Sequence, residues 1–242
     1  MDTYASTQQP DITHIMTLIG EPARATILLT LLSGETLPAG ELAHRCQLTP
    51  QTTSSHLAKL VAGNLLLMIP QGRHRYYQLA RPEIAEMLEA IQRVAPRRPV
   101  RSLRQSEESR VLCRARTCYD HLAGKLGVDM TQALCERKLL RYEGRQFHLT
   151  KLGAVWCEGI GIDWRQAKKR RRAFAAPCLD WSERRDHLAG ALGAAIASYC
   201  FERDWLRRVK SSRAVTVTAA GREAFIHYFG VDIWPDRNPL EG

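Results

Sequence analysis

No run of about 18 apolar residues, the length a membrane-spanning helix needs, occurs in this 242-residue sequence. No charged segment followed by an apolar stretch opens it either. Neither a membrane span nor a secretory leader is therefore expected, and the protein is read as cytoplasmic. Cysteines in CxxC pairs are also missing. The seven thiols, at positions 46, 113, 118, 135, 157, 178 and 200, are odd in number and would stand in a reducing compartment, which excludes a disulfide scaffold. A glycine-rich phosphate loop, a GxSxG elbow and an HExxH pair are absent. The protein is accordingly not expected to be an enzyme, and no cofactor is expected.

Positive charge is scarce in the first third of the chain. The net charge is +10, yet residues 1–92 hold six Lys/Arg against eight Asp/Glu, while 93–116 hold eight against two and 117–242 twenty-one against fifteen. Affinity for nucleic acid depends on where cations meet phosphate, so the total excess marks no binding face. A local group of cations must do so.

The stretch from Leu48 to Leu79 supplies one. Pro50 suits the first turn of a helix and Thr49 can cap it, because proline has no N–H to leave unpaired and threonine can accept an orphan donor. At ~100° per residue, Thr52, Ser55, His56 and Lys59 share a polar face while Leu57, Leu60 and Val61 face inward. Gly63-Asn64 ends the helix, and residues 65–70 and 74–79 read as strands around the turn Gln71-Gly72-Arg73. A positioning helix over 38–46 precedes it. Helix, turn, helix and basic hairpin form the layout of a winged helix-turn-helix. The candidate DNA contacts are Gln51, Thr52, Ser54, Ser55, His56 and Lys59 on the helix, with Arg73, His74 and Arg75 on the wing. A merely solvated helix would show the same polar face; the hairpin at fixed distance argues for DNA.

Thr49-Pro50-Gln51-Thr52-Thr53-Ser54-Ser55-His56-Leu57, Leu60, Leu65-Leu66, Gly72-Arg73 and Tyr76-Tyr77-Gln78-Leu79 resemble the recognition helix and wing of the ArsR family of bacterial repressors. Gly20-Glu21-Pro22-Ala23-Arg24-Ala25-Thr26-Ile27-Leu28 resembles that family's proline-broken opening. The resemblance implies a homodimer in which the first and last helices of the reader pack against their copies. Ile12, Ile15, Met16 and Ile19 form one apolar stripe and Ile84, Met87, Leu88 and Ile91 another, although burial within one subunit would also explain them. The sequence departs from the family's familiar metal sites: Thr36 to Leu42 lacks cysteine and residues 82–94 lack histidine.

Residues 95–110, rich in Arg, Pro and Ser, have linker composition. Beyond them lies an internal repeat. Asp120-His121-Leu122-Ala123-Gly124-Lys125-Leu126-Gly127 returns 66 residues later as Asp186-His187-Leu188-Ala189-Gly190-Ala191-Leu192-Gly193, and Leu149-Thr150-Lys151-Leu152-Gly153 is echoed by Val217-Thr218-Ala219-Ala220-Gly221. Each copy reads as helix, helix, β-hairpin, helix. This half also resembles the extension on a subset of ArsR-type regulators, through Arg116-Thr117-Cys118-Tyr119-Asp120-His121-Leu122-Ala123-Gly124 and Cys178-Leu179-Asp180-Trp181-Ser182-Glu183-Arg184-Arg185.

Two Asp-His steps at matching places could face a shared cavity, and Cys113 and Cys118 stand among Arg110, Arg114 and Arg116, which would favour thiolate. The candidate sensing residues are Cys113, Cys118, His121, Cys178 and His187, against the plainer reading that they are packing residues. No metal site is assigned. On a helix Cys113 and Cys118 lie ~140° apart, so a tetrahedral set would need a helix break or distant ligands. The run Lys168-Lys169-Arg170-Arg171-Arg172 reads as a solvated face or a second contact with DNA.

The expected fold is mainly α with small β-hairpins (α+β): a winged helix-turn-helix over 11–94, a linker over 95–110, and a duplicated winged-helix-like domain over 111–235, with repeats about 116–163 and 182–232. The expected function is a dimeric transcriptional repressor on double-stranded operator DNA, with no membrane partner, relieved by a small-molecule or thiol-reactive inducer. Two alternatives remain open: a metal- or thiol-redox sensor acting through the carboxy-terminal cysteines, and an interaction module that does not read DNA.

Overall fold

A computed structural model describes residues 10–96 and 102–232. The polar start, 1–9, the arginine-rich part of the linker, 97–101, and the end of the second half, 233–242, lie outside the described residues. Contacts divide the chain into two compact units, Met1–Leu31 with Glu35–Ile84 and Leu32–Gly34 with Ala85–Gly242.

In the first unit α1 (Ile12–Ile19) is capped by Asp11, and α2 (Pro22–Leu31) follows the break at Gly20. Buried Arg24 holds the two together by donating through Nε to the Leu18 carbonyl at 2.6 Å and through a terminal nitrogen to that of Thr17 at 2.8 Å. Then come β1 (Leu37–Pro38), α3 (Ala39–Cys46) and α4 (Pro50–Ala62). Gln47, in the left-handed region at φ 54°, makes the turn between the helices. Thr49 caps α4 as its sequence requires, accepting from the Thr52 N–H at 3.2 Å. The strands β2 (Leu66–Gln71) and β3 (His74–Leu79) pair antiparallel, Leu66 with Leu79 through Gln71 with His74, and β1 completes a sheet of order β1-β3-β2. Proline at position 70 is tolerated because β2 is an edge strand. Ile27, Leu28, Leu31, Leu42, Leu57, Leu60 and Leu65 are fully buried and form the core of this unit.

α5 (Pro82–Val94) ends the first unit and enters the second, where its buried Glu89 accepts from Arg213 at 2.7 Å. α6 (Leu103–Arg114) begins at a Ser102 cap, so helix occupies part of the range that has linker composition. From there the same order of elements runs twice. The first pass is β4 (Arg116–Cys118), β5 (His121–Ala123), α7 (Gly124–Glu136), β6 (Leu140–Glu143), β7 (Gln146–Leu149) and α8 (Lys151–Ile160). After α9 (Trp164–Lys168) the second is β8 (Ala176–Leu179), β9 (Asp186–Ala189), α10 (Gly190–Glu202), β10 (Leu206–Arg208), β11 (Val215–Val217) and α11 (Ala219–Ala224), which continues as a π-helical turn over Phe225–Phe229.

Each pass therefore reads hairpin, helix, hairpin, helix, which corrects the expected helix, helix, hairpin, helix. The reason lies in the backbone around Asp120-His121. Tyr119 takes a left-handed φ of 60° in a two-residue turn and Gly124 one of 74°, so the chain reverses and then breaks before α7 begins. The repeated glycines have a use. A Cβ on Gly153 would lie 2.1 Å from the Leu139 carbonyl oxygen, and one on Gly221 2.0 Å from that of Trp205; only glycine lets α8 and α11 start so close to the hairpin before them. Thr150 and Thr218 cap these two helices identically, each accepting from that glycine's N–H at 2.9 Å. Leu122, Leu126, Leu188, Leu192, Phe225 and Phe229 share one apolar core. Among the described residues no helix is long and apolar enough to cross a membrane.

Candidate functional site

On α4 the inward face is Thr53, Leu57 and Leu60, all fully buried, the Thr53 hydroxyl donating to the Thr49 carbonyl at 2.9 Å. Gln51, Thr52, Ser54, Ser55 and Lys59 are all exposed. At the tip of the β2–β3 hairpin Arg73, His74 and Arg75 are likewise exposed, and Gly72 takes the positive φ of 59° that the tight turn demands. His56 stands apart from this surface. Its side chain is 15% exposed and its Nδ1 lies 3.5 Å from Glu21 at the start of α2. The arrangement leaves short hydroxyl and amide groups on a helix and cations on a neighbouring wing, the chemistry by which base edges and phosphates are read.

The second unit brings four of the five candidate sensing residues together. Cys118 pairs across the β4–β5 ladder with His121, and Cys178 across β8–β9 with His187. Residues directly opposite share a face, so each hairpin presents one thiol and one imidazole to the other. The two sulfurs are 3.8 Å apart and the two Nε2 atoms 3.2 Å; no two of the four ligand atoms are more than 4.8 Å apart. Cys118, His121 and His187 are buried and Cys178 nearly so. Cys113, on α6, is not one of the four. Both conditions set for a tetrahedral group are met: α6 stops before Cys118, and Cys178 and His187 come from afar in the sequence.

Carboxylates stand behind both imidazoles. His121 Nδ1 is 3.5 Å from Asp120, itself paired with Arg172, and His187 Nδ1 is 3.6 Å from Asp180. The sequence repeat predicts Asp186 in the second role, but Asp186 accepts from the Tyr142 hydroxyl instead. Asp180 is held from all sides. One oxygen accepts from Arg116 and the Gly124 N–H, both at 2.7 Å; the other accepts from the Ser182 and Glu183 N–H groups and the Ser182 hydroxyl. Burial opposes its ionisation, but Arg116 and these donors keep the carboxyl well below the usual range. Arg116 is itself fully buried, with Trp181 stacked on its guanidinium at 4.3 Å. Neither Asp180 nor Arg116 belongs to the sequence-derived candidates; an arginine two positions ahead of Cys118 was the available signal.

Hydrogen bonding between the sulfurs, with both imidazoles alongside, pulls the Cys178 thiol far down, and the same partner together with burial drives Cys118 up. The cluster thereby favours a thiolate at Cys178 over one at Cys118. Burial works against a charge on His121, yet Asp120 and the Cys178 sulfur outweigh it and push the imidazole up to about 9. By contrast Cys157 and Cys200 are pushed up to about 12 by burial and are inert packing thiols. Of the cation run, Lys168 to Arg171 is exposed, while Arg172 turns in to Asp120.

Comparison with known proteins agrees with the reader's geometry. A family model described as a helix-turn-helix domain matches residues 19–69. The chain is 43% identical over 224 residues to the uncharacterized HTH-type transcriptional regulator YdfF of Bacillus subtilis (strain 168), a match covering 93% of this chain and 99% of that protein. Among solved structures it is similar to HlyU from Vibrio cholerae N16961, at 28% identity over 34% of this chain and 88% of that one, with a TM-score of 0.32. It is also similar to NolR from Sinorhizobium fredii, at 27% identity over 34% and 81%, with a TM-score of 0.32. The near full-length likeness to YdfF, joined to the α3–α4 helix-turn-helix and the β2–β3 wing, places the chain in the family of HTH-type transcriptional regulators.

Proposed function

We propose that this regulator is a homodimeric repressor that reads a two-fold operator through α4 and its wing and is released by a signal received in the second unit. The observation that carries the reading is the exposed set Gln51, Thr52, Ser54, Ser55 and Lys59 on α4 beside Arg73, His74 and Arg75 on the wing. The helix groups serve base edges and the wing cations serve phosphates. His56, turned toward Glu21, anchors the recognition helix to α2. A single winged helix covers one half-site, so a two-fold partner is needed. Ile12 and Met16, 66% and 50% exposed on α1, give that partner an apolar face. The signal is a small molecule or a thiol-reactive agent, acting through a difference in its affinity for two dimer states. Footprinting of the full chain on the DNA upstream of its own gene tests the proposal. Protection of an inverted repeat with half-sites about one helical turn apart is expected, together with lowered transcription from that promoter; the absence of any protected site refutes it.

A further inference from the structure

We propose that Cys118, His121, Cys178 and His187 form a closed tetrahedral site for zinc, stapling the two hairpins of the second unit. The site is built wholly within that unit and does not depend on the repressor reading.

The spacing fits the ion. With Zn–S near 2.3 Å and Zn–N near 2.05 Å, the edges of a regular tetrahedron are about 3.8 Å between sulfurs and about 3.3 Å between nitrogens. The observed separations are 3.8 Å and 3.2 Å. The widest pair, at no more than 4.8 Å, needs to close by about 1 Å to reach the mixed edge of about 3.6 Å, which a small rotation of one side chain supplies.

The imidazoles give the second argument. A carboxylate 3.5 or 3.6 Å behind each Nδ1 favours the proton on that nitrogen. Both Nε2 atoms then turn toward the same point, 3.2 Å apart, where a bound cation would replace the hydrogen bond that the two rings otherwise share. Carboxylate behind imidazole behind metal is also how ligand orientation and basicity are set in zinc sites. Here the carboxylates are themselves fixed, Asp120 by Arg172 and Asp180 by Arg116.

The donor set selects the metal. Two thiols and two imidazoles in a tetrahedron suit zinc and not the oxygen-seeking divalent ions. Four protein ligands leave no coordination position for water, which makes the site structural. Its physical effect is to join Cys118 to Cys178, 60 positions away, and His121 to His187, 66 away, so that metal binding becomes folding energy for this unit.

The test uses the full chain, stripped of metal under reducing conditions and titrated with Co(II), which adopts the same geometry and reports it optically. One equivalent per chain should be bound, with thiolate-to-cobalt charge transfer and the intense visible bands of tetrahedral cobalt, and zinc should displace it. X-ray absorption of the zinc-loaded chain should give two sulfur and two nitrogen ligands at about 2.3 and 2.0 Å. Cys118→Ser combined with Cys178→Ser should abolish the charge-transfer band, whereas Cys113→Ser should leave it intact. Because the double variant could fail to fold, the wild-type measurements decide by themselves. No stoichiometric uptake, a coordination shell without sulfur, or a Cys118–Cys178 disulfide in freshly reduced and purified protein each overturns the proposal. Operator binding by the same loaded chain is read separately, so loss of the repressor reading would leave the metal result standing.

Discussion

The wing is the part of the reader whose contribution can be worked out most directly. Arg73 and Arg75 are exposed at the hairpin tip, and a dimer brings two such tips. If each arginine neutralises one phosphate, Arg73→Gln with Arg75→Gln removes four contacts, and at about 0.9 per contact the slope of log affinity against log salt flattens by about 3.6. Between about 50 and 200 mM salt the wild type should then lose roughly 150-fold more affinity than the variant. A change of about 1.8 would instead report a single wing on the DNA. Fluorescence anisotropy on a labelled operator and a random duplex, at several salt concentrations, reads the slope for both. The loss should be similar on the two duplexes, since phosphate contacts carry no sequence information. The two-residue turn and the Gln71–His74 pairing that brackets it do not depend on the arginine side chains, so the melting temperature should stay put. An unchanged slope with an intact fold would remove the wing from the interface.

On the recognition helix, Gln51→Ala or Ser55→Ala should lower affinity for cognate DNA by about 5- to 150-fold, the equivalent of about 1–3 kcal/mol for a base contact, and leave random DNA nearly unaffected; equal losses on both would make these groups phosphate contacts. His56→Ala should move that ratio far less, because its ring faces Glu21. Ile12→Glu with Met16→Glu should convert a two-chain species to a single chain in sedimentation velocity, and a dimer that persists would place the subunit contact elsewhere. Arg116→Leu should destabilise the second unit by about 3–5 kcal/mol in urea unfolding, because it leaves the fully buried Asp180 carboxylate without its cation; a loss below about 1 kcal/mol would show the pair to be energetically idle.

The reader was legible because its signals are local. Thr49, Pro50 and the Gly-Arg turn specify a cap, a first turn and a hairpin without help from the rest of the chain, and leucines at helical spacing find the core. His56 was not, since its partner Glu21 lies 35 positions away and only tertiary packing turns the ring toward it. In the second half the repeat showed that His121 and His187 correspond, but it concealed the cysteines. Cys118 and Cys178 are 60 positions apart and the histidines 66, because the β8–β9 hairpin has one more ladder pair, Leu179 with Asp186, and a six-residue loop, 180–185, where β4–β5 turns in two. A fixed-offset comparison aligns Cys118 with Arg184 and misses the match. Helical periodicity was no guide at the same place: it sets Cys113 and Cys118 about 140° apart, whereas Cys118 lies on a strand and a two-residue turn puts it directly opposite His121.

Two hairpins with loops of different length build one closed cluster. A single hairpin offers a thiol and an imidazole on one face, half of a tetrahedral set, with nothing to complete it. The second pass supplies the other half, and the two faces meet. A Cβ on Gly127 of α7 would stand 3.7 Å from His187, and one on Gly193 of α10 3.3 Å from His121, so each helix packs beneath the histidine of the opposite copy. Thr131 adds a direct link, its hydroxyl accepting from the Leu188 N–H at 2.8 Å while donating to the Gly127 carbonyl at 2.7 Å. The hairpins are thus exchanged between the two passes, as identical subunits exchange contacts across a two-fold axis. Once symmetry has placed the ligands, the six-residue loop is free to depart from it. It brings in Asp180, which replaces Asp186 behind His187 and reaches back through Arg116 and the Gly124 N–H to the first hairpin and its helix.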